Sequence, residues 1–507
     1  MVNRRDMFRV CIVLLVGTLL RILRLGYQGL FLDEAWSWAA ARLSPAQILQ
    51  LSLRDPHPPL YYLLLKGLLV VLPSTETGLR TLSALCSVAA LAAILVFAAR
   101  WWDVRAAIYA GWFAALSSFD IYYAQEARMY TLLGFLWLLA YILLLEALRA
   151  RPRLLIGWGL VNVLMVWTHF YGLLVVAIHL TFALGLWAWH HLRLRPSPLP
   201  GRWLGVGTAL TMAGALPVLF LLWNYRDGGA GGAWVSRPKD LLALFALWSV
   251  GLTAARAYFL DGVHLVLPPL TTLPLWIWTL VGVLLIGGFA VRGISQGWKS
   301  DDTRHWGTLL ALLLVLAPIA AAFGYATTLD RRIWAFKPFL GAAYLFYLWG
   351  GVGLGRIPHA LIRRGVAALT LVVSLTSLIP YYITWQKTDA ATAFRSIPQP
   401  DEQGLVLLDR VYTAPVAFYY LGPDAEVWGL RADGESGFAL AQISPADSLP
   451  VNFQTMDCGA PALQEVTDVW VYGPAGRIRQ ERERWPSCLT ERRLWVFENG
   501  EWTPLNR

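Results

Sequence analysis

The sequence predicts an all-α polytopic membrane protein with about 11 to 13 transmembrane helices and a small extracytoplasmic α/β domain at its C-terminal end. Three observations carry this. The chain is 57% hydrophobic and 15% charged, against the roughly 45–50% and 25% of soluble domains. Apolar runs of bilayer-spanning length recur from residue 8 to residue 384. Beyond residue 385 they give way to short strand-like and helix-like stretches, so the expected domains are 1–385 and 386–507.

The apolar runs lie at 8–25, 78–99, 105–119, 130–148, 154–170, 172–190, 203–223, 272–291, 306–324, 338–354 and 366–384. In the first, Arg4, Arg5 and Arg9 precede the apolar stretch from Val10 to Leu20, and no small-residue cleavage site follows it, so it is expected to remain as a span. The net charge of +10 does not point to nucleic acid, because Lys and Arg fall in short loops between apolar runs. Basic loops at 100–105, 149–153, 190–202, 292–304 and 356–364 are assigned to the cytoplasm by the positive-inside rule. The segments holding Asp33-Glu34, 120–130, His169, 224–261 and 330–337 then face outward, at a cell membrane. Pro58–Leu72 breaks this alternation and is short for a span, so it is read as re-entrant. In 224–271 a glycine-rich stretch precedes an amphipathic pattern at 239–260, which suits either a gate or a linker. In the C-terminal region, 404–409, 468–473 and 494–497 read as strands and 414–420 as a helix. Cys458 and Cys488 lie there and are able to pair outside the cytoplasm, whereas Cys11 and Cys86 sit in apolar runs.

The polar groups are sorted. Acids and imidazoles recur at the outer ends of spans, and the loops richest in Lys and Arg lie inside. Asp33-Glu34 follows the first span and is followed by Trp36 and Trp38, which favour the bilayer boundary. A carboxylate beside an apolar wall can be kept basic, or can hold a cation. Asp55-Pro56-His57-Pro58-Pro59-Leu60-Tyr61-Tyr62 adds an imidazole and a proline-fixed entry to the bilayer. In 120–130, a helix would put Glu126, Met129 and Tyr130 on one face with Arg128 to one side. His169, Arg331, Arg332 and Lys337 complete the set. Carboxylates, imidazoles and cations at one membrane face fit recognition of an anionic phosphate and activation of a nucleophile.

Taken in order, Leu32-Asp33-Glu34, His57-Pro58-Pro59-Leu60-Tyr61, Tyr123-Ala124-Gln125-Glu126-Ala127-Arg128-Met129-Tyr130 and Thr168-His169 resemble bacterial GT-C glycosyltransferases. The branch is the one related to dolichyl-phosphate-mannose protein mannosyltransferases and the lipid A aminoarabinose transferase. The resemblance covers roughly residues 8–385 and implies inverting transfer of a hexosyl or pentosyl group from a polyprenyl-phosphate donor. The acceptor would be a protein, lipid or glycan of the cell envelope, on the outer face. It implies Asp33 as general base, with Glu34 assisting or joining Asp33 in holding a divalent cation. Oxygen ligands would suit Mg²⁺ or Mn²⁺. His57, Tyr61, Glu126, Tyr130 and His169 would line the cavity, Arg128 would bind the donor phosphate, and one of Arg331, Arg332 and Lys337 would steady the leaving phosphate. A transporter or flippase of anionic lipid-linked substrates is the competing class. It predicts ionisable residues near the bilayer midplane and matching halves, and the sequence shows neither.

Overall fold

A computed structural model describes residues 4–505 except 54, 56, 150, 195–196, 226–243, 246–247, 250–280, 282, 299–301, 329–335, 384–386, 398–403, 410–412, 423–424, 426, 434–436, 444–452, 457–465 and 486. The chain divides into two compact units. The first comprises Met1–Leu25, Ser52–Val71 and Arg80–Trp385, and the second Gly26–Leu51, Leu72–Leu79 and Gln386–Arg507. The units therefore do not follow chain order alone. The segment that carries Asp33 and Glu34 groups with the C-terminal residues.

The first unit is helical. In order come α1 (Arg4–Ile22), α4 (Leu60–Leu68), α5 (Glu76–Trp101, from Arg80), α6 (Val104–Ala115), α7 (Ser118–Ala124), α8 (Tyr130–Leu148), α9 (Leu154–Thr168), α10 (Tyr171–Leu192) and α11 (Gly201–Tyr225). After the undescribed stretch come α12 (Gly288–Trp298), α13 (Asp302–Thr328), α14 (Leu340–Gly355) and α15 (Ala360–Ile383). Six described helices, namely α5, α8, α10, α11, α13 and α15, are long and apolar enough to cross a membrane. Ten of the apolar runs anticipated from sequence fall on described helices, and 272–291 is described only in part. The amphipathic pattern at 239–260 lies largely outside the described residues. Helix α4 has 9 residues, about 13 Å at 1.5 Å per residue, under half of a bilayer's hydrocarbon thickness. It is too short to cross by itself.

Small residues set how closely these helices approach. A Cβ on Gly351 of α14 would lie 2.1 Å from the Ala110 nitrogen of α6, and one on Gly353 would lie 1.9 Å from the Phe289 oxygen of α12. Helix α14 is buried along its whole length, which only backbone-to-backbone packing of this kind permits. Asp120, anticipated in an outward loop, is instead fully buried in α7. It pairs with Arg21, accepts hydrogen bonds from Ser87 Oγ at 2.9 Å and Tyr344 Oη at 2.8 Å, and leaves no water-facing edge. Arg21 also donates to the carbonyls of Gly17 and Ala114 at 2.7 and 3.0 Å. Removing one member leaves the other charge buried. We expect Asp120→Ala to destabilise the detergent-solubilised protein by about 3–5 kcal/mol and Arg21→Met/Asp120→Leu to recover most of it, read as thermal unfolding.

The second unit carries a seven-stranded sheet of order β4-β3-β2-β1-β5-β6-β7. The strands are β1 (Gly404–Leu408), β2 (Val427–Asp433), β3 (Gly437–Ile443), β4 (Phe453–Met456), β5 (Asp468–Tyr472), β6 (Arg493–Glu498) and β7 (Glu501–Pro504). The central four, β2-β1-β5-β6, are parallel, and antiparallel strands extend both edges. Parallel neighbours need crossovers, which α17 (Ala414–Leu421) provides between β1 and β2 and α18 (Ala475–Glu481) between β5 and β6. Leu405, Leu407, Val469, Val471, Leu494 and Val496 alternate onto one buried face. The unit also contains α2 (Leu32–Arg42), α3 (Pro45–Leu51) and α16 (Ala390–Arg395). Trp38 of α2 meets Tyr419 of α17 edge to face at 5.3 Å between ring centroids. Cys488 is disulfide-bonded, and Cys458 lies outside the described residues.

Candidate functional site

Pro58 and Pro59 bring the chain into α4, with Pro59 as the residue that caps it. The two tyrosines that follow are both fully buried but face different partners. Tyr62 Oη donates to Asp55 Oδ2 at 2.8 Å, and Asp55 Oδ1 lies 3.0 Å from His57 Nδ1. Asp55 is itself only 2% exposed. Its two oxygens therefore fix a phenol and an imidazole at once.

Arg128 closes this arrangement. The sequence pattern suggests a helix through Glu126–Tyr130, but α7 ends at Ala124 and α8 begins at Tyr130, so Glu126 and Arg128 stand in a tight turn between them. The Arg128 amide donates to the Glu126 carbonyl at 2.7 Å, and Gln125 Nε2 donates to the carbonyls of Arg21 and Leu23 at 3.1 and 2.9 Å, tying the turn to the end of α1. From the turn Arg128 Nη1 reaches Tyr62 Oη at 3.4 Å, and Nη2 reaches His57 Nε2 at 3.2 Å. With Nδ1–H donating to Asp55, His57 Nε2 is the acceptor for Arg128, a tautomer assigned from its partners. Tyr61 stands one layer back. Its hydroxyl lies 3.0 Å from Ser83 Oγ, which donates to the Arg128 carbonyl at 3.0 Å.

The remaining predicted groups of the first unit form a chain of contacts with this cradle. The His169 ring is 5.3 Å from that of His57 and 6.0 Å from that of Tyr130. Helix α9 stops at Thr168, so His169 sits in the connection to α10, where its Nδ1 accepts the Tyr171 amide at 3.1 Å. Burial, and then the nearby His57 and Arg128, hold its pKa well below the usual imidazole range. It is therefore neutral at pH 7, with Nε2–H as its remaining donor. Lys337 Nζ lies 5.4 Å over the Tyr130 ring and 3.9 Å from Glu126 Oε1. Two cations, two carboxylates and two imidazoles are thus assembled from four chain segments. Arg331 and Arg332 lie outside the described residues.

Asp33 and Glu34 belong to the second unit and open α2. Acids suit a first helical turn, where unpaired amides leave partial positive charge. Glu34 reaches back to accept the Phe31 amide at 3.0 Å, and the same Oε2 lies 3.1 Å from Lys387 Nζ. Asp33 is partly exposed, and Glu34 is fully buried. The neighbours therefore differ in kind, and Glu34 Oε2 is engaged by both Lys387 and the backbone. Among the described residues no group of three or more His, Cys, Asp or Glu is placed to hold a metal ion.

No family model and no curated protein matches the sequence. Among solved structures, ArnT from Cupriavidus metallidurans in the apo state matches with a TM-score of 0.55 at 13% identity, over 82% of this chain and 85% of that one. The same protein bound to undecaprenyl phosphate matches with a TM-score of 0.53 at 12% identity, over the same 82% and 85%. ArnT is the lipid A aminoarabinose transferase, a member of the GT-C superfamily. This chain has the GT-C fold. Oligosaccharyltransferase AglB from Archaeoglobus fulgidus, in complex with an inhibitory peptide and a dolichol-phosphate, matches at 0.49 with 13% identity, over 83% of this chain and 64% of that one.

Within this GT-C fold, two members of the Arg128 cradle escaped sequence reasoning as site residues. Asp55 and Tyr62 both lie in the stretch singled out for His57 and Tyr61. A signal was present: an acid two residues before the imidazole and a second tyrosine one position, about 100°, further round α4. Lys387 gave none, since a lone Lys beyond the last span does not announce a buried partner 353 positions earlier in the chain.

Proposed function

We propose that this GT-C protein is an integral membrane glycosyltransferase that moves a sugar from a polyprenyl-phosphate donor to a hydroxyl-bearing protein, lipid or glycan acceptor. The acid cradle of Arg128 is the observation that supports this best. A guanidinium braced by Tyr62 and His57, themselves held by Asp55, keeps its planar fork in one orientation, as bidentate capture of a phosphate requires. In this reading Arg128 takes the donor phosphate and Lys337 adds a second charge. The neutral His169 donates a hydrogen bond, and Glu126 and Tyr130 shape the sugar side. The ArnT fold neighbour crystallised with undecaprenyl phosphate supports the same ligand class.

Asp33 is the general base. It takes the proton of the acceptor hydroxyl as that oxygen attacks the anomeric carbon. The sugar–phosphate bond breaks, its electron pair leaves with the polyprenyl phosphate, and the configuration inverts. A positioned base is worth about 10²–10⁴-fold in rate. The cations meet the charge that grows on the leaving phosphate, where fixed charges act most strongly. The reaction runs at the outer face, the side to which the basic loops assign these residues.

The test is binding of the carrier itself. Undecaprenyl phosphate should raise the thermal stability of the purified protein saturably, by about 2.7 kcal/mol at a concentration 100 times Kd. Undecaprenol, which lacks the phosphate, should give far less. Equal stabilisation by both would show that the tail alone is recognised and would contradict the phosphate site.

A further inference from the structure

Gly26–Leu51 belongs to the same compact unit as the C-terminal α/β residues, and the contacts that join them converge on the start of α2. Lys387 donates twice. Its backbone amide reaches Gln28 Oε1 at 2.9 Å, and its ammonium reaches Glu34 Oε2 at 3.1 Å. The two charged side chains are 3% and 0% exposed, so neither is loosened by water. The Leu30 amide donates to Tyr420 Oη at 2.7 Å, and Ala391 packs against Gly29 so closely that a Cβ there would lie 2.8 Å away. Glu34 passes the anchor on by accepting the Phe31 amide, which fixes the first turn of α2. Asp33 is the neighbour inside that turn, and its carbonyl accepts Ser37 Oγ at 3.2 Å.

We propose that the C-terminal α/β domain is part of the acceptor-activating machinery, with Lys387 as a positioning residue that holds the Asp33 turn through its buried pair with Glu34. This rests on Asp33 being the base. A carboxylate that must meet an acceptor proton gains from a fixed backbone, because misplacement by an ångström costs orders of magnitude in rate. Two acids side by side repel. Lys387 compensates Glu34 so that both are accommodated in one turn. The division of labour follows: Glu34 and Lys387 fix the turn, and Asp33 stays accessible.

The experiment uses full-length protein in detergent and compares wild type, Lys387→Met, Lys387→Gln, Lys387→Arg and the double variant Glu34→Gln/Lys387→Gln. Two readouts are taken: transfer kinetics, and hydrogen exchange of the amides from Phe31 to Ala35. Lys387→Met should lower kcat at least about tenfold with donor KM unchanged, and should speed exchange at Phe31. Lys387→Arg should keep most of the turnover. The double variant, whose amides can bond each other and cap Phe31, should recover most of what Lys387→Gln loses. Wild-type kcat and wild-type exchange in Lys387→Met would overturn the inference. If Lys387→Met does not fold, equal turnover in Lys387→Gln and the double variant overturns it, and recovery in the double variant upholds it. If wild type consumes no donor, the glycosyltransferase reading fails, and the exchange data still decide whether Lys387 holds the turn.

Discussion

Asp33→Asn should abolish measurable transfer, with turnover lower by about 10²–10⁴-fold, while the protein stays folded and membrane-inserted. The substitution keeps the shape and removes the negative charge together with the ability to take a proton. Asp33 is partly exposed, whereas Glu34 is fully buried against Lys387. The check is single-turnover rate on purified protein matched for monodispersity and thermal stability. Glu34→Gln is the informative neighbour. It leaves Lys387 buried opposite a neutral amide, so its losses should show in stability as well as rate. Full turnover by Asp33→Asn would remove the residue from the role of base.

Arg128→Ala should lower kcat by about 10²–10³-fold, the range found when one preorganised charge-stabilising donor is removed. Arg128→Lys should rescue little. A single ammonium cannot span Tyr62 Oη and His57 Nε2 at once, and it lacks the fork that matches a phosphate. The fold should persist in both variants, because Asp55 keeps Tyr62 and His57 as partners. The measurement is kcat and KM for one donor across the three proteins. A change confined to KM would mean that Arg128 binds donor and transition state alike.

The helical part of the fold was readable because apolar length reports membrane crossing directly. The runs at 78–99, 130–148 and 172–190 correspond to α5, α8 and α10. The strands at 404–408 and 468–472 were readable because buried parallel strands are continuously apolar. The outer antiparallel strands β3 and β4 were not, since they depend on their neighbours for pairing. Local pattern also failed at residues 125–129, where Gln125 spends its side chain on the carbonyls of α1 and the chain turns. It failed at Asp120 too, because the partner that makes its burial tolerable lies 99 residues away. His57, Arg128 and His169 were singled out from motif order, whereas the contacts of Asp55 and Tyr62 with them needed geometry. The allegiance of Gly26–Leu51 to the C-terminal unit rests on Tyr419, Tyr420 and Lys387, and no local signal carries such contacts.

The most direct measurement is transfer by purified protein offered a panel of radiolabelled polyprenyl-phosphate sugars with a hydroxyl acceptor pool from the cell envelope, in wild type and Asp33→Asn side by side. The account predicts that wild type consumes one donor, releases polyprenyl phosphate and forms a product of inverted configuration, and that Asp33→Asn does none of these. Folded wild-type protein that binds a donor but moves it across vesicles without breaking the sugar–phosphate bond would contradict it, and would make this chain a carrier instead of a transferase.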